Sequence, residues 1–230
     1  MIEKSFNFVD MESKAESNIK MQILIFGASG ATGKNLVNQA LEKHYRVTAF
    51  VRDPAKLVIK HENLRLFQGN IRDYESVIGA VTGQDAVLSA LGAESPFKFD
   101  QVLVDGMANI IKAMNYAHVM RIIYLSTIGG KENREDFGFF VRRIAPVLLK
   151  NEIAGHEARE LMIKESHLDY TIVQAPKLTN GRSTGKYISG EFLKSKSFAV
   201  SLSRADTAAF MLRQLTEDKF IRKTARLLPA

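Results

Sequence analysis

The stretch MQILIFGASGATGKNLVNQALEKHYRVTAFV, residues 21–51, decides the fold. It begins with a short apolar run, 21–26, passes through three glycines into a segment with apolar residues at helical spacing, and ends in a second apolar run, 46–51. Short continuous apolar runs predict buried strands. In the middle segment the apolar residues recur about every 3.6 residues, which predicts an amphipathic helix. The stretch is therefore predicted to form a β-α-β unit.

The same alternation continues as far as residue 175. The pattern predicts further strands at 64–67, 86–91, 121–126 and 170–175, separated by helices near 73–81, at 101–117 and at 151–166. Short apolar strands that alternate with helices predict a parallel sheet covered on both faces. We therefore predict an α/β fold, a Rossmann-type doubly wound parallel sheet, in a single domain over 21–230. Residues 1–20 are polar and unpatterned, which predicts a mobile leader.

Composition excludes several classes of protein. The 230 residues are 46% hydrophobic and 25% charged, which suits one compact core. The chain contains no cysteine, so disulfide scaffolds, thiolate nucleophiles and cysteine-ligated metal sites are excluded. No apolar run is long enough to span a bilayer and the N-terminus lacks a signal-peptide profile, so we expect a cytoplasmic protein without a membrane partner. The histidines are dispersed, and we expect no metal.

The net charge of +7 comes from the end of the chain. Residues 177–230 hold 11 basic and 4 acidic side chains, whereas the rest is balanced. These cations are not interleaved with aromatic residues, so we favour a solvated face over an anionic ligand, and we expect no nucleic acid. The segment 137–151, FGFFVRRIAPVLLKN, is basic and amphipathic. Pro146 interrupts it, so core packing or a lid is favoured over membrane contact.

Gly27, Gly30 and Gly33 lie where the first strand turns into the first helix. Glycines there allow a tight turn and a close approach of backbone to a pyrophosphate, with helix N–H groups directed at the phosphates. The spacing is G-x-x-G-x-x-G, not the common G-x-G-x-x-G, and it does not form a P-loop. We predict a dinucleotide-binding turn, with a ligand-free glycine turn as the alternative.

The end of the second strand carries the signal for the choice of dinucleotide. NAD-binding proteins place a carboxylate there for the ribose, and NADP-binding proteins place an arginine for the 2′-phosphate. Asp53 precedes a proline and is interpreted as a turn or helix-start residue. Arg52 and Lys56 are therefore predicted to bracket the 2′-phosphate of NADP(H). Two ordinary surface cations are the alternative.

Seven segments in order resemble the NmrA-like group of atypical short-chain dehydrogenase/reductases, and most of all its branch of biliverdin reductase B-like, NADPH-dependent flavin reductases. They are GASGATG (27–33), VRDPAKL (51–57), QGNIRD (68–73), GQDAVLSALGA (83–93), IIYLSTIGG (122–130), SHLDYTIVQAPKL (166–178) and FMLRQLTEDKF (210–220). The resemblance covers about 21–220. It implies a domain that binds NADP(H) and a substrate pocket formed by a small C-terminal portion. The sequence leaves the oligomeric state open, with a monomer favoured over an oligomer.

Carried over by position, the resemblance implies roles for residues at the carboxyl ends of the strands. The pyrophosphate is expected at Gly27, Ser29, Gly30, Ala31, Thr32 and Gly33, and the 2′-phosphate at Arg52 and Lys56. The adenine is expected at Asn70 and Ile71, the nicotinamide ribose at Ala90, Leu91 and Gly92, the nicotinamide at Ser126 and Thr127, and the pocket wall at Pro176 and Lys177. Asn70 stands where the family has aspartate, but its amide oxygen can still accept from an adenine amino group.

Catalysis is where the sequence departs from the larger superfamily, because it contains no Tyr-x-x-x-Lys pair. Glu152 and His156 stand near the missing positions. We place them opposite an apolar stripe of the helix at 151–166, formed by Ile153, Ala154, Ala158, Leu161 and Met162, and favour a surface ion pair over an acid role for His156. The catalytic candidates are Ser126, as hydrogen-bond donor, and Lys177, which would stabilise negative charge on the substrate. Alternatively, Ser126 only closes a strand end, and Lys177 is solvent-exposed or holds the nicotinamide.

A reductase without that tyrosine suits a conjugated acceptor, which takes a hydride without obligatory protonation by the enzyme. Aromatic residues in loops near the expected nicotinamide favour a flat, apolar substrate: Phe97, Phe99, Phe137, Phe139 and Phe140. We therefore expect an NADPH-dependent reductase of a flavin, quinone or tetrapyrrole-like acceptor. The alternative is a non-catalytic NAD(P)-binding redox sensor or regulatory protein of the NmrA type.

Overall fold

The computed structural model describes residues 21–93, 95, 97, 99–197 and 200–230, so the expected leader at 1–20 lies outside the described residues. The strands are β1 Gln22–Phe26, β2 Arg46–Val51, β3 Leu64–Gln68, β4 Ala86–Ser89, β5 Arg121–Thr127, β6 Asp169–Ala175, β7 Lys177–Thr179, β8 Tyr187–Gly190, β9 Ser201–Ser203 and β10 Lys223–Pro229. The α-helices are α1 Ala31–Glu42, α2 Tyr74–Val81, α3 Gln101–Tyr116, α4 Ala145–Leu148, α5 Lys150–Glu165 and α6 Arg204–Arg213. Short 3-10 turns lie at Pro54–Lys56 and Arg134–Asp136, and a π-helical turn at Phe140–Ile144.

The main sheet has eight strands in the order β3-β2-β1-β4-β5-β6-β10-β8. All neighbours run parallel except β8, which is antiparallel to β10. The strand order reverses at β1, which has β2 on one side and β4 on the other, and such a reversal opens a crevice at the carboxyl ends of the strands. The prediction of a Rossmann-type, doubly wound α/β domain is confirmed. The sequence did not predict β8 and β10, or the separate parallel pair of β7 and β9.

Side chains of the central strand alternate between two apolar clusters, one on each face of the sheet. Ile23 and Ile25 pack on the face covered by α1 and α6, and Leu24 and Phe26 pack on the face covered by α2 and α3. All four side chains are fully buried. Burial on both faces explains why the run is continuously apolar rather than alternating, as parallel strands in covered sheets are.

Helix α5 does not bury the stripe expected from its sequence. Of that stripe only Ile153 is buried, and Leu161 is 55% exposed. The buried residues of α5 are Ile153, Gly155, Arg159, Glu160 and Ile163. The prediction was wrong because it assigned charged residues to solvent, whereas α5 turns Glu160 toward polar groups at the ends of β5 and β6.

The segment 137–151 packs onto the domain. Phe137 is 4% exposed and pairs through a β-bridge with Ser195, while Val141 and Ala145 are also buried. Pro146 lies in the first turn of α4, directly after the π-helical turn at Phe140–Ile144. These contacts support core packing. In the described part of the chain, none of the helices has both the length and the apolar character required to cross a bilayer.

Asp206, in the first turn of α6, anchors the segment between β7 and β8. It is 2% exposed, and it accepts hydrogen bonds from the Ser203 and Ser183 hydroxyls at 2.7 and 2.9 Å. It also accepts from the backbone N–H groups of Thr184 and Gly185, at 2.7 and 2.8 Å. Burial by itself would raise the pKa of Asp206, but these hydrogen bonds outweigh it and lower the pKa below its usual value.

Candidate dinucleotide and substrate site

A cleft of about 500 Å³ lies at the carboxyl ends of the strands, where the strand order reverses. Residues from the ends of β1, β2, β3 and β4 line it. Among them are nine of the sequence-predicted cofactor residues: Gly27, Ser29, Gly30, Arg52, Asn70, Ile71, Ala90, Leu91 and Gly92. Arg72 and Asp100, for which the sequence predicted no role, also line this cleft.

The turn between β1 and α1 requires glycine at two of its three positions. Gly27 has φ +76°, and a Cβ there would lie 2.6 Å from the carbonyl oxygen of Ala90. A Cβ on Gly33 would lie 2.0 Å from the carbonyl oxygen of Gly27, so this glycine lets α1 pack closely on the end of β1. Gly30 is the N-cap of α1, and no described side chain caps the helix. The backbone N–H groups of Ala31 and Thr32, in the first turn of α1, therefore have no intrahelical acceptor and are suited to bind an anion.

The end of β2 places one of its two predicted cations in the cleft. Arg52 lines the cleft, whereas Lys56, in the 3-10 turn, is exposed and is not among the lining residues. The Asp53 carboxylate accepts the backbone N–H of Ala55 at 3.0 Å and caps the 3-10 turn, which confirms its interpretation as a turn residue. Arg72, on the segment after β3, is the second arginine of the cleft.

The expected adenine site is held in a tight turn. The side-chain oxygen of Asn70 accepts the backbone N–H of Arg72 at 3.0 Å, so only its second lone pair is left for an adenine amino group. Ile71 is buried, and its carbonyl oxygen accepts a hydrogen bond from Asn109 of α3 at 2.9 Å. The backbone at Ile71 is therefore fixed by α3.

A second cleft, of about 250 Å³, lies between α5 and the segment that follows β5. Its lining includes Thr127, Asn133, His156 and Glu160. Ser126 lies beside it, 4% exposed, with its hydroxyl 2.5 Å from Glu160 Oε1 and 3.3 Å from His156 Nδ1. The Ser126 side chain therefore does more than close the strand, because it joins β5 to α5.

His156 does not form the expected surface ion pair with Glu152. Its Nδ1 lies 2.8 Å from the Tyr124 hydroxyl and faces Ser126. Burial, together with the nearby positive charge of Arg159, lowers the pKa of His156 to about 3, so the ring is neutral at physiological pH. Burial raises the pKa of Glu152, partly offset by Arg159. The prediction was wrong because the helical face that carries His156 is the buried one.

Glu160 belongs to a buried polar network that the sequence analysis missed. Gln174 Nε2 lies 3.0 and 3.1 Å from the two Glu160 oxygens, and the Asn133 amide donates to Gln174 Oε1 at 2.8 Å. Burial raises the pKa of Glu160, against the opposing effect of hydrogen bonds from Ser126 and Gln174. The available signal was spacing, because Glu160 follows His156 by four residues and therefore lies on the same helical face.

The C-terminal part of the predicted pocket is only partly brought to these clefts. Pro176 is buried and Lys177, the first residue of β7, is exposed, and neither residue lines either cleft. Phe137 belongs to the core, so it does not contribute to a substrate surface, and Phe140 packs against that core group. Phe97, Phe99 and Phe139 are exposed, by 68%, 43% and 55%. The carbonyl oxygen of Phe97 accepts a hydrogen bond from Asn151, which ties this loop to α5.

Comparison with known proteins gives the family. Residues 27–218 match a family described as NAD(P)H-binding, and this chain belongs to that family. A relative over nearly the full length is the UPF0659 protein YMR090W of Saccharomyces cerevisiae, 25% identical over 226 residues, which cover 90% of this chain and 93% of the yeast protein. In the described part of the chain, no group of three or more acidic or histidine side chains could hold a metal.

Two solved structures share the fold. A short-chain dehydrogenase/reductase from Veillonella parvula in complex with NADP superposes with a TM-score of 0.75 at 22% identity, covering 91% of this chain and 94% of that one. ChuY, an anaerobillin reductase from Escherichia coli O157:H7, superposes with a TM-score of 0.73 at 19% identity, covering 91% and 97%. The chain is thus an NAD(P)H-binding protein with the fold of these reductases.

Proposed function

We propose that this chain is an NADPH-dependent reductase that transfers a hydride to a flat conjugated acceptor, such as a flavin, a quinone or a linear tetrapyrrole. One observation carries the proposal. The dinucleotide cleft ends at Ala90–Gly92, after β4, and the buried Ser126 stands at the end of the neighbouring strand β5. A nicotinamide bound beyond β4 would therefore meet the Ser126 hydroxyl and Thr127, next to an open second cleft.

The preference for NADPH rests on the charge of the cleft. Arg52 and Arg72 both line it, and a guanidinium can bind a 2′-phosphate through two parallel hydrogen bonds. No carboxylate is offered at the end of β2, because Asp53 caps its own turn. The complex of the Veillonella protein with NADP supports the same choice. The glycine turn and the first turn of α1 would hold the pyrophosphate.

The proposed acceptor class rests on the proton chemistry. When bound, NADPH supplies the hydride. The chain has no Tyr-x-x-x-Lys pair, so a substrate that needs strong acid assistance is a poor match, and a conjugated acceptor is a good one. The exposed rings of Phe97, Phe99 and Phe139 offer flat apolar surface. The resemblance to biliverdin reductase B-like flavin reductases and the fold shared with ChuY, an anaerobillin reductase, both support this class.

The residues of the chain would orient the reactants and handle a proton. Ser126 would donate a hydrogen bond to the acceptor where negative charge develops. Thr127 and the buried Pro176, at the ends of neighbouring strands, would confine the nicotinamide ring. Lys177 is still proposed to stabilise negative charge on the acceptor. Its side chain is exposed, so this role requires it to fold over the bound acceptor.

The test is NADPH oxidation at constant protein concentration against a panel of flavins, quinones and linear tetrapyrroles, with NADH run in parallel. We expect turnover with at least one conjugated acceptor and a preference for NADPH over NADH. Tight NADPH binding without turnover on any acceptor would refute the reductase and favour the alternative of a redox sensor. The absence of binding to either nucleotide would refute both.

A further inference from the structure

Glu160 is buried next to Ser126, and the surrounding groups only weakly compensate the negative charge of its carboxylate. Glu160 is 7% exposed, and its carboxyl group is contacted by the Ser126 hydroxyl and the Gln174 amide, neither of which is charged. Lys164 Nζ lies 3.8 Å from a Glu160 carboxylate oxygen, and this lysine also binds Glu132 at 3.0 Å. The Lys164 charge is shared between two carboxylates and therefore only partly offsets the cost of burying Glu160, so the acid form of Glu160 is favoured relative to an exposed glutamate.

The charged groups around Glu160 do not remove this cost. Burial raises its pKa, hydrogen bonds from Ser126 and Gln174 and the charge of Lys164 oppose the rise, and the charge of Glu132 adds to it. The net effect is an elevated pKa, so the acid form persists to higher pH than in an exposed glutamate. Arg159, on the same helix, lies against the Tyr124 ring and faces His156 rather than binding Glu160.

The second cleft gives this carboxyl group a route to solvent. Glu160 lines the cleft, and its carboxyl group contacts Ser126, at the end of β5, where the acceptor is proposed to bind. The Ser126 hydroxyl can both donate and accept a hydrogen bond, so it can exchange a proton with the carboxyl group. His156 also reaches Ser126, at 3.3 Å, but its Nδ1 faces the Tyr124 hydroxyl at 2.8 Å and the ring is neutral.

We propose that Glu160 is a positioning residue that resupplies Ser126 with a proton during reduction, and that the second cleft is the path by which solvent reprotonates Glu160. The proposal rests on the proposed function. The acceptor gains a C–H or N–H bond from the hydride of NADPH, and the displaced electron pair takes the proton of the Ser126 hydroxyl. Ser126 recovers a proton as the O–H bond of the Glu160 acid breaks, and water protonates the carboxylate. Overall, NADPH, acceptor and one proton give NADP⁺ and the reduced acceptor.

The test uses Glu160→Gln, which keeps the size and hydrogen-bonding capacity of the side chain and removes its acid. Glu165→Gln, at the exposed end of α5, is the matched control. The readout is the rate of hydride transfer against pH in water and in deuterated water, with NADPH and the acceptor that the full chain turns over. We expect the wild-type rate to fall as pH rises through the pKa of Glu160. We expect this limb and the solvent isotope effect to vanish in Glu160→Gln and to persist in Glu165→Gln.

At neutral pH we expect Glu160→Gln to lose about tenfold in rate, below the roughly 10²–10⁴ of a direct general acid, because it acts through Ser126. In a Ser126→Ala background the same substitution should have no further effect. An unchanged pH profile in Glu160→Gln, with turnover intact, overturns this inference and leaves the reductase standing. A wild-type chain without turnover overturns the reductase and the relay with it.

A second measurement keeps the proposal falsifiable if Glu160→Gln does not fold. The infrared carbonyl band of a protonated carboxyl group in the wild-type protein should persist above the pH at which exposed glutamates ionise. Glu160→Asp, which shortens the side chain, should shift this band. A spectrum without a protonated carboxyl band above that pH overturns the relay.

Discussion

Replacing Arg52 by alanine is expected to change which nicotinamide nucleotide the protein binds. Arg52 lines the dinucleotide cleft at the end of β2, where a ribose 2′-phosphate would lie. Hydrogen bonds to a charged group contribute about 1.5–3 kcal/mol, and the exposure of this side chain to solvent favours the lower half of that range. At about 1.4 kcal/mol for each factor of ten in affinity, Arg52→Ala should weaken the binding of NADPH by roughly 10–40-fold and leave the binding of NADH nearly unchanged.

The assay is a fluorescence titration of both nucleotides at low and high salt. Lys56→Ala is the matched control, because Lys56 is an exposed cation three positions after Asp53 that does not line the cleft. We expect it to weaken NADPH by less than about threefold, as an exposed cation contributes little. Arg72→Ala should fall between the two. Equal losses for NADPH and NADH in Arg52→Ala, or a wild-type preference for NADH, would refute the assignment of the 2′-phosphate.

Three further predictions follow from the packing. Gly33→Ala should lower the free energy of unfolding by about 3 kcal/mol, because the new methyl would overlap the Gly27 carbonyl oxygen. Gly92→Ala, with open space around its Cβ, should melt like wild type and bind NADPH less tightly. Equal melting temperatures of the two variants would contradict the packing argument for Gly33. Asp206→Ala should destabilise the fold above pH 4 by about 3 kcal/mol, since several donors lose their acceptor. Because the folded pKa of Asp206 is lowered, its contribution is present above the unfolded value of about 3.9 and is lost as pH falls through the folded one, so denaturant titrations should give a shallower acid limb in the variant. His156→Ala should change turnover less than about tenfold and leave the pH profile of the rate as in wild type, because the ring is already neutral; abolished turnover with intact NADPH affinity would place the chemistry at His156.

The order of elements as far as β6 could be predicted because every strand in that span, except the edge strand β3, is buried along most of its length. Apolar runs such as 23–26 and 122–125 are typical of strands whose side chains are buried on both faces, and the helices between them carry one apolar stripe. Strands β8 and β10 were not predicted. They pair only after the chain has returned to the far edge of the sheet, and local pattern carries no information about that return.

The site could be predicted where it is made of backbone. Gly27 and Gly33 are dictated by close approaches that any side chain would block, so the sequence must show them. The polar network around Glu160 could not be predicted, because hydrophobic periodicity assigns charged residues to solvent. In α5 the rule fails, since Gln174 and Ser126 satisfy the Glu160 carboxyl group inside the protein. The departure falls beside the proposed chemistry, where local rules are expected to be broken.

The reversal of strand order at β1 has a consequence for how the chain folds. Phe26 pairs with Phe50, after one helix, but also with Ser89, which lies more than twice as far along the chain. Closing the longer loop costs more chain entropy, so the pairing of β1 with β2 is expected to precede that with β4. Until β4 docks, the wall of the dinucleotide cleft that β4 provides is missing, so a partly folded chain has no complete nucleotide site. Nucleotide at 100 times its Kd would then stabilise the folded state by about 2.7 kcal/mol. The melting temperature of the domain should therefore rise with nucleotide concentration.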